Sequence, residues 1–270
     1  MKRLRTVRWI LAGLSFALAA AYLVAEGRIA DVASAAYRVQ IIPSMLSVSL
    51  GATLFWLVIT MVYGRLYCAT VCPVGTLLDL LPRVRGMLSR KSSKYRYRKP
   101  HKCRYYFLIA YAVSLVAGLA IVPALLEPWN IFGNMLSPGR MPLSPALARL
   151  GLGATAGIAA GVVSFVALAA AAIMSGREFC NTVCPVGSLL GIVGMTAGYR
   201  IELDPDRCVA CMKCEEACPA GCILIAERRV DDSRCVRCME CVARCPEGAI
   251  RYQSVRNRAA TPMMRHAGGR

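Results

Sequence analysis

The sequence predicts a mostly α-helical membrane protein, with four transmembrane helices in two repeated pairs, followed by a small α+β domain. Three observations predict it. The 270 residues are 57% hydrophobic with a mean hydropathy of +0.49, too apolar for an ordinary soluble domain. Residues 64–78, GRLYCATVCPVGTLL, recur at 176–190 as GREFCNTVCPVGSLL, with 11 of 15 positions identical at an offset of 112. Residues 201–254 carry a doubled cysteine run and a charge pattern unlike the rest. The boundaries that follow are 1–200 for the membrane domain, 201–254 for the cysteine-rich module and 255–270 for a basic tail without apolar periodicity, expected to be disordered.

Taken in order, residues 1–8 are basic, with Lys2, Arg3, Arg5 and Arg8, and Trp9–Ala25 is apolar. A charged start, an apolar stretch and the small residues Ala19, Ala20 and Ala21 also fit a secretory signal. An uncleaved first helix is adopted because it makes the number of spans even. The next apolar stretches, Met45–Tyr63, Tyr105–Leu126 and Ala154–Met174, hold 19, 22 and 21 residues. At about 1.5 Å per residue each can cross roughly 30 Å of hydrocarbon. Pro123 falls near the end of the third, where a lost helical hydrogen bond is tolerated. Gly153, Gly157 and Gly161 recur every four residues in the fourth and invite close approach by a neighbouring helix.

The loops set the expected orientation. Residues 64–104 carry 11 Lys/Arg against one acid, Asp79, whereas the only Lys/Arg of 26–44 and 127–147 are Arg28, Arg38 and Arg140. The positive-inside rule then puts both termini, the 64–104 loop and the cysteine-rich module in the cytoplasm and the 127–147 loop outside, as for a multi-pass protein of a bacterial inner membrane. Net charge is +18 overall, yet residues 201–254 hold 8 Lys/Arg against 10 Asp/Glu, so that module is −2 and the remainder +20. The basic and aromatic stretch from Arg90 to Lys99 reads as a lipid-headgroup anchor beside a membrane helix, and no nucleic-acid partner is expected.

The module's cysteines carry the chemistry. They read Cys208, Cys211, Cys214, Cys218, Pro219 and Cys235, Cys238, Cys241, Cys245, Pro246. Each half is C-x2-C-x2-C-x3-C-P, the spacing of bacterial two-cluster ferredoxins. Three thiolates in a tight loop cap one [4Fe–4S] cube, and the fourth ligates the other. On that pattern Cys208, Cys211, Cys214 and Cys245 hold one cluster, and Cys235, Cys238, Cys241 and Cys218 the second. Structural zinc prefers two C-x2-C pairs, and a disulfide scaffold does not require the prolines. Grouping of the 14 cysteines in ligand runs also argues for a reducing compartment. The chain moves electrons.

The 112-residue repeat adds a second ligand set. Each copy ends an even-numbered helix with C-x3-C-P: Cys68 and Cys72, then Cys180 and Cys184. Four-residue spacing puts both cysteines of a copy on one face of a helical turn. Two copies in corresponding places suggest a pseudo-two-fold with a shared site. Four thiolates there suit a third metal or Fe–S centre, zinc being the other option. A structural turn with cysteine as a small apolar residue is the alternative.

Four membrane helices, two C-x3-C-P motifs and a C-terminal two-cluster run together resemble the NapH/MauN-type membrane ferredoxins, over about residues 1–254. The C-terminal half of NosR-like proteins is related. The resemblance implies a quinol dehydrogenase membrane component that passes electrons toward a periplasmic oxidoreductase, alongside a second ferredoxin-type protein. It carries the cluster ligands onto Cys208, Cys211, Cys214, Cys218, Cys235, Cys238, Cys241 and Cys245, and the C-x3-C-P cysteines onto Cys68, Cys72, Cys180 and Cys184. An assembly factor that reduces a metal or disulfide for another enzyme is the alternative function.

The remaining residues narrow the chemistry. His101 and His266 are the only histidines, so no helix offers the pair a membrane haem needs, and no nucleotide fingerprint is present. LGAT at 50–53 and 152–155 resembles the end of a flavin-attachment sequence, but small residues at helix starts are better explained by packing. Cys222 reads as core filler near a cluster, and Cys103 as a lone thiol. For quinol chemistry the sequence offers Glu127, Trp129 and Asn130 on the outer side and Asp79 with Tyr67 on the inner, none distinguished by pattern.

Overall fold

The computed structural model describes residues 2–24, 50–89, 94–119, 121–137 and 154–255. The expected 26–44 loop and nearly all of the 255–270 tail lie outside the described residues. The chain is mostly helical, with the small α+β module at its C-terminal end. Among the described residues two helices, Arg3–Val24 and Ile158–Ser175, are long and apolar enough to cross a membrane. Leu54, Phe55, Val58, Ile158, Val162, Val163 and Val166 are exposed along two of the helices, an apolar surface suited to lipid rather than water.

The helices α1 (Lys2–Val24) and α2 (Leu50–Tyr63) are followed by one turn, α3 (Tyr67–Thr70), and by α4 (Pro73–Ser89). The second copy of the repeat gives the same series: α8 (Ala154–Ser175), the short α9 (Glu178–Thr182) and α10 (Pro185–Gly194). In both, the proline after the second cysteine opens the last helix, where its missing N–H costs nothing. The two copies exchange partners, because α4 packs on α8 and α10 packs on α2.

Between the copies the structure departs from the expected single span over 105–126. Helix α5 (Cys103–Val116) ends before Gly118, which is left-handed at φ +69°; α6 (Ile121–Leu126) and α7 (Pro128–Leu136) follow. Where an outer loop was expected from 127, residues Pro128–Asn134 are instead buried, and α7 packs against α8, α4 and α1. The physical cause is local. A left-handed glycine ends α5, and Pro128 starts a new helix whose own face is apolar enough to bury.

The module is a two-stranded sheet and a hairpin around short helices. β1 (Tyr199–Leu203) pairs antiparallel with β4 (Ile250–Ser254), in register from Tyr199 opposite Ser254 to Leu203 opposite Ile250. β2 (Ile223–Leu224) pairs with β3 (Arg229–Val230), and α11 (Lys213–Glu216) and α12 (Glu240–Arg244) each complete a cysteine loop. Ile201, Ile223, Val236 and Ile250 join one continuous core with Val74, Leu78 and Leu190 from the repeat copies.

Charge fixes the module to the helices. Glu240 takes Arg5, Arg8 and Arg83 together with the Trp9 Nε1–H at 3.2 Å. The basic stretch, expected on lipid, runs from residue 94 along the module instead. Tyr95 N donates to Glu216 O at 3.1 Å, Tyr97 N to Glu215 Oε1 at 2.9 Å and Arg98 N to Gly221 O at 3.1 Å. A −2 module beside a +20 body makes this the electrostatically natural seat for these residues. At the other end Tyr252 Oη donates to Tyr63 O at 2.9 Å, and Tyr63, Tyr199 and Tyr252 stack in series.

Candidate metal centres

The two ferredoxin-type loops share an unusual backbone. Ala210 and Met212 lie at φ 53° and 60°, and Arg237 and Met239, at equivalent places in the second run, at 56° and 62°. Non-glycine residues pay for such angles. Left-handed residues in such a loop help turn backbone N–H groups into a concave face that suits an anion such as a cluster. A pocket in the module is lined by Cys208, Cys211, Cys214 and Cys245, with Leu203, Ile225 and Ile250 around them. On the other side Cys241 feels the charges of Cys218, Cys238 and Cys235. The fourth cysteine of each run thus sits with the triplet of the other.

The second of these sites also holds donors that protein atoms leave unused. Arg237 is fully buried, and its Nε and Nη2 have no hydrogen-bond partner among the described residues. Its Nη1 lies 2.8 Å from Asp232 Oδ1 without hydrogen-bond alignment. A hydrogen bond with the Cys222 thiol lowers Cys235 to about 6; burial opposes this and the Arg237 charge adds to it. Orphaned cationic donors beside a thiolate are what an anionic cluster would satisfy. Cys222, read from sequence as filler, has its sulfur 3.5 Å from Cys218 Sγ. Its thiol touches two cysteines of one set.

The two C-x3-C-P motifs meet. Cys68, Cys72, Cys180 and Cys184 are all buried. Cys184 feels the charges of Cys180, Cys72 and Cys68, and Cys72 those of Cys68 and Cys180. Burial pushes Cys180 up to about 11 and raises Cys72 and Cys184 as well. Sealed thiols at such a spot stay protonated until a cation arrives, and bound iron would supply the charge. Cys184 Sγ accepts from Gly187 N at 3.3 Å at the start of α10, a place that favours a thiolate. Among the described residues no three His, Cys, Asp or Glu converge tightly enough to hold a single ion. Four buried soft donors nonetheless suit an iron–sulfur centre and zinc alike.

Two arginines from the repeat clamp this site reciprocally. Arg177, of the second copy, donates from Nη1 to Cys68 O at 2.7 Å; Arg65, of the first, donates from Nη2 to Cys180 O at 3.1 Å. Gly75 and Gly187 make room for the same carbonyls, since a Cβ would fall 2.2 Å from Cys68 O and 2.0 Å from Cys180 O. The symmetry breaks where the module docks. Arg177 pairs with Asp79 at 2.7 and 2.8 Å, and Arg8 reaches the same carboxylate at 2.7 Å. Burial alone would raise Asp79, but the two guanidinium groups outweigh it and hold it at about 2. Arg65 instead takes Asn181 Oδ1 at 2.9 Å and Ser233 O of the module at 3.1 Å. Arg177 N donates to Pro219 O at 2.8 Å, next to Cys218, and Cys238 feels Asp79, Arg8 and Arg177. One buried network therefore joins the C-x3-C-P cysteines to the module.

Comparison with known proteins matches this layout. A family model described as a 4Fe-4S binding domain matches residues 46–94 and 158–198, one C-x3-C-P motif in each. A model described as a 4Fe-4S dicluster domain matches residues 207–249. The ferredoxin-type protein NapH of Escherichia coli is 24% identical over 178 residues, 65% of this chain and 55% of that protein. NapH of Haemophilus influenzae is 25% identical over 65% of this chain and 54% of its own. The methylamine utilization ferredoxin-type protein MauN of Paracoccus denitrificans is 28% identical over 177 residues, 65% and 55% of the two chains. The chain is similar to ferredoxin-type proteins of the NapH and MauN kind. It spans about half the length of the curated relatives it matches, and no solved structure matches it.

The residues that sequence reasoning missed are Arg65, Arg177 and Arg237. The signal was available for the first two, because Gly-Arg opens both copies of the repeat at 64–65 and 176–177. Nothing in the spacing announced that each would serve the other copy.

Proposed function

We propose that this protein oxidises membrane quinol and relays the electrons through three iron–sulfur centres. In this reading four spans in two repeated pairs cross the inner membrane, with both termini and the module cytoplasmic. Cys68, Cys72, Cys180 and Cys184 hold the first centre. Cys218, Cys235, Cys238 and Cys241 hold the second, and Cys208, Cys211, Cys214 and Cys245 the third. Clusters supply one-electron chemistry; the protein supplies the thiolates, the buried arginines that offset their charge and the exclusion of water. Electrons then pass toward a periplasmic oxidoreductase alongside a second ferredoxin-type protein.

The observation that carries the reading is the Arg177 network. It touches Cys68 through its carbonyl, Pro219 beside Cys218, and the surroundings of Cys238. A membrane-side thiolate set seated directly on the module suits relay from bilayer to module. The decisive experiment is anaerobic: a reduced quinol analogue is added to the purified protein and the clusters are followed optically and by EPR. Reduction by quinol is expected. Clusters that dithionite reduces and quinol does not would turn the reading toward an assembly factor fed from the cytoplasm.

The pairing of each fourth cysteine with the opposite triplet makes a separate forecast. Cys218→Ser should damage the centre of Cys235, Cys238 and Cys241 and spare that of Cys208, Cys211 and Cys214, as two resolved EPR signals report. Damage confined to the Cys208 triplet would refute the exchange.

A further inference from the structure

The proposed metal centres leave unused a buried polar group on α7. On α7, Glu127, Asn130 and Asn134 fall at i, i+3 and i+7, so they share a helix face, and they are 2%, 7% and 2% exposed. Asn130 Nδ2 donates to Glu127 Oε2. Among the described residues no cation pairs with Glu127, and Asn134 Oδ1 has no hydrogen-bond partner. The helix is held firmly. Phe132 lies 5.2 Å from Phe16 and Trp129 6.1 Å from Tyr22 between ring centroids, and a Cβ on Gly161 would fall 2.3 Å from Asn134 O. Tyr111 of α5 is also buried, and it feels the charges of both Glu127 and Cys184.

A buried carboxylate without a cation and an acceptor without a donor are both costly. In an apolar helical body such a group marks a site for a ligand or a proton. The missing complement is specific: a molecule that brings O–H donors to acceptors, enters from an apolar phase and leaves protons behind. We propose that Glu127, Asn130 and Asn134 form the headgroup site for the quinol, with Glu127 the catalytic proton acceptor. This rests on the quinol reading above and adds the site and the base to it.

The reaction balances at these atoms. Oxidation breaks the two O–H bonds of the quinol and leaves quinone, two protons and two electrons. The protons pass in turn to the Glu127 carboxylate and from it to water. The C-x3-C-P cysteines would hold an iron–sulfur centre that takes the two electrons one at a time and hands each on to the module, and their Cys184 shares Tyr111 as a neighbour with Glu127. Asn134 accepts a hydroxyl hydrogen bond, and Asn130 holds the carboxylate in place.

The test uses the full chain in detergent with its clusters intact. Heptylhydroxyquinoline N-oxide, a fluorescent quinol analogue, reports binding, and a short-chain quinol drives reduction. Asn134→Leu should weaken probe binding by about tenfold, the value of one hydrogen bond. Glu127→Gln should keep binding within about threefold yet slow quinol-driven reduction by about a hundredfold or more, as for a lost general base. Glu127→Asp should recover part of that rate, and dithionite-reduced EPR spectra should be the same in all. Wild-type reduction rates in Glu127→Gln, or unchanged probe binding in Asn134→Leu, would overturn the site while leaving quinol oxidation standing. Failure of quinol to reduce the wild-type clusters, with dithionite still effective, would instead overturn the quinol reading and the site with it.

Discussion

Serine at Cys180 should abolish quinol-driven reduction of the ferredoxin module while both of the module's EPR signals persist. Cys180 lies among Cys68, Cys72 and Cys184, apart from the eight cysteines of the module's two ligand runs, and its carbonyl is held by Arg65. Losing a ligand should cost more than the 10–100-fold typical of residues that merely support a metal site, so a rate loss above about a hundredfold is expected. Cys68→Ser, its counterpart in the other copy, should behave alike, because the two motifs close one set. Cys103→Ser is the control, since Cys103 is exposed and outside every set. Dithionite should still reduce the module in all three. Wild-type turnover in Cys180→Ser would return the motif to a structural turn.

The second large effect is on stability. Asp79 is the carboxylate to which both Arg177 and Arg8 point, and the three side chains are almost wholly buried. Asp79→Asn keeps the volume and strands two buried cations, so a loss of about 3–5 kcal/mol is expected, read as a lowered thermal midpoint in detergent. Removing the exposed pair of Lys94 and Glu216 should cost no more than about 1 kcal/mol. Burial and exposure decide the difference, not the number of ion pairs. The pH dependence has a definite sign. The folded Asp79 carboxyl sits at about 2 against an ordinary 3.8, so its contribution is complete above the ordinary value and fades as pH falls toward 2. Asp79→Asn should lack this part of the acid limb while keeping its deficit at neutral pH. An unchanged midpoint in the variant would show that the network contributes nothing to the fold.

Much of the site was legible because metal-ligand chemistry is written in short spacings. Thiolates two residues apart must share a tight loop, so the eight cysteines of the two C-x2-C-x2-C-x3-C-P runs and the prolines behind them point to cluster chemistry without tertiary information. The repeat was legible for a similar reason. Eleven identities in fifteen residues predict that Cys68 and Cys180, or Gly75 and Gly187, occupy like positions in two like turns.

Hydropathy was a weaker guide. Averaged over Tyr105–Leu126 it cannot register that one glycine at 118 turns the chain, nor that Pro128 begins a helix directed inward. It therefore assigned Glu127 to an outer loop. Charge counting likewise could not see that the backbone of the basic stretch is held by the module. Only the position of Glu215, Glu216 and Gly221 shows which acceptors take the backbone N–H groups of Tyr95, Tyr97 and Arg98.

By itself, then, the sequence determined the ligand types, their local loops, the internal duplication and the electron-carrying character, all consequences of interactions a few residues apart. Tertiary structure alone decided that the two C-x3-C-P motifs meet, that Arg65 and Arg177 each close the other copy's turn, and that Glu127 lies inside. Those outcomes depend on which distant group satisfies a buried charge or carbonyl. A buried polar atom must find its partner wherever the fold brings one, and local pattern holds no record of that choice.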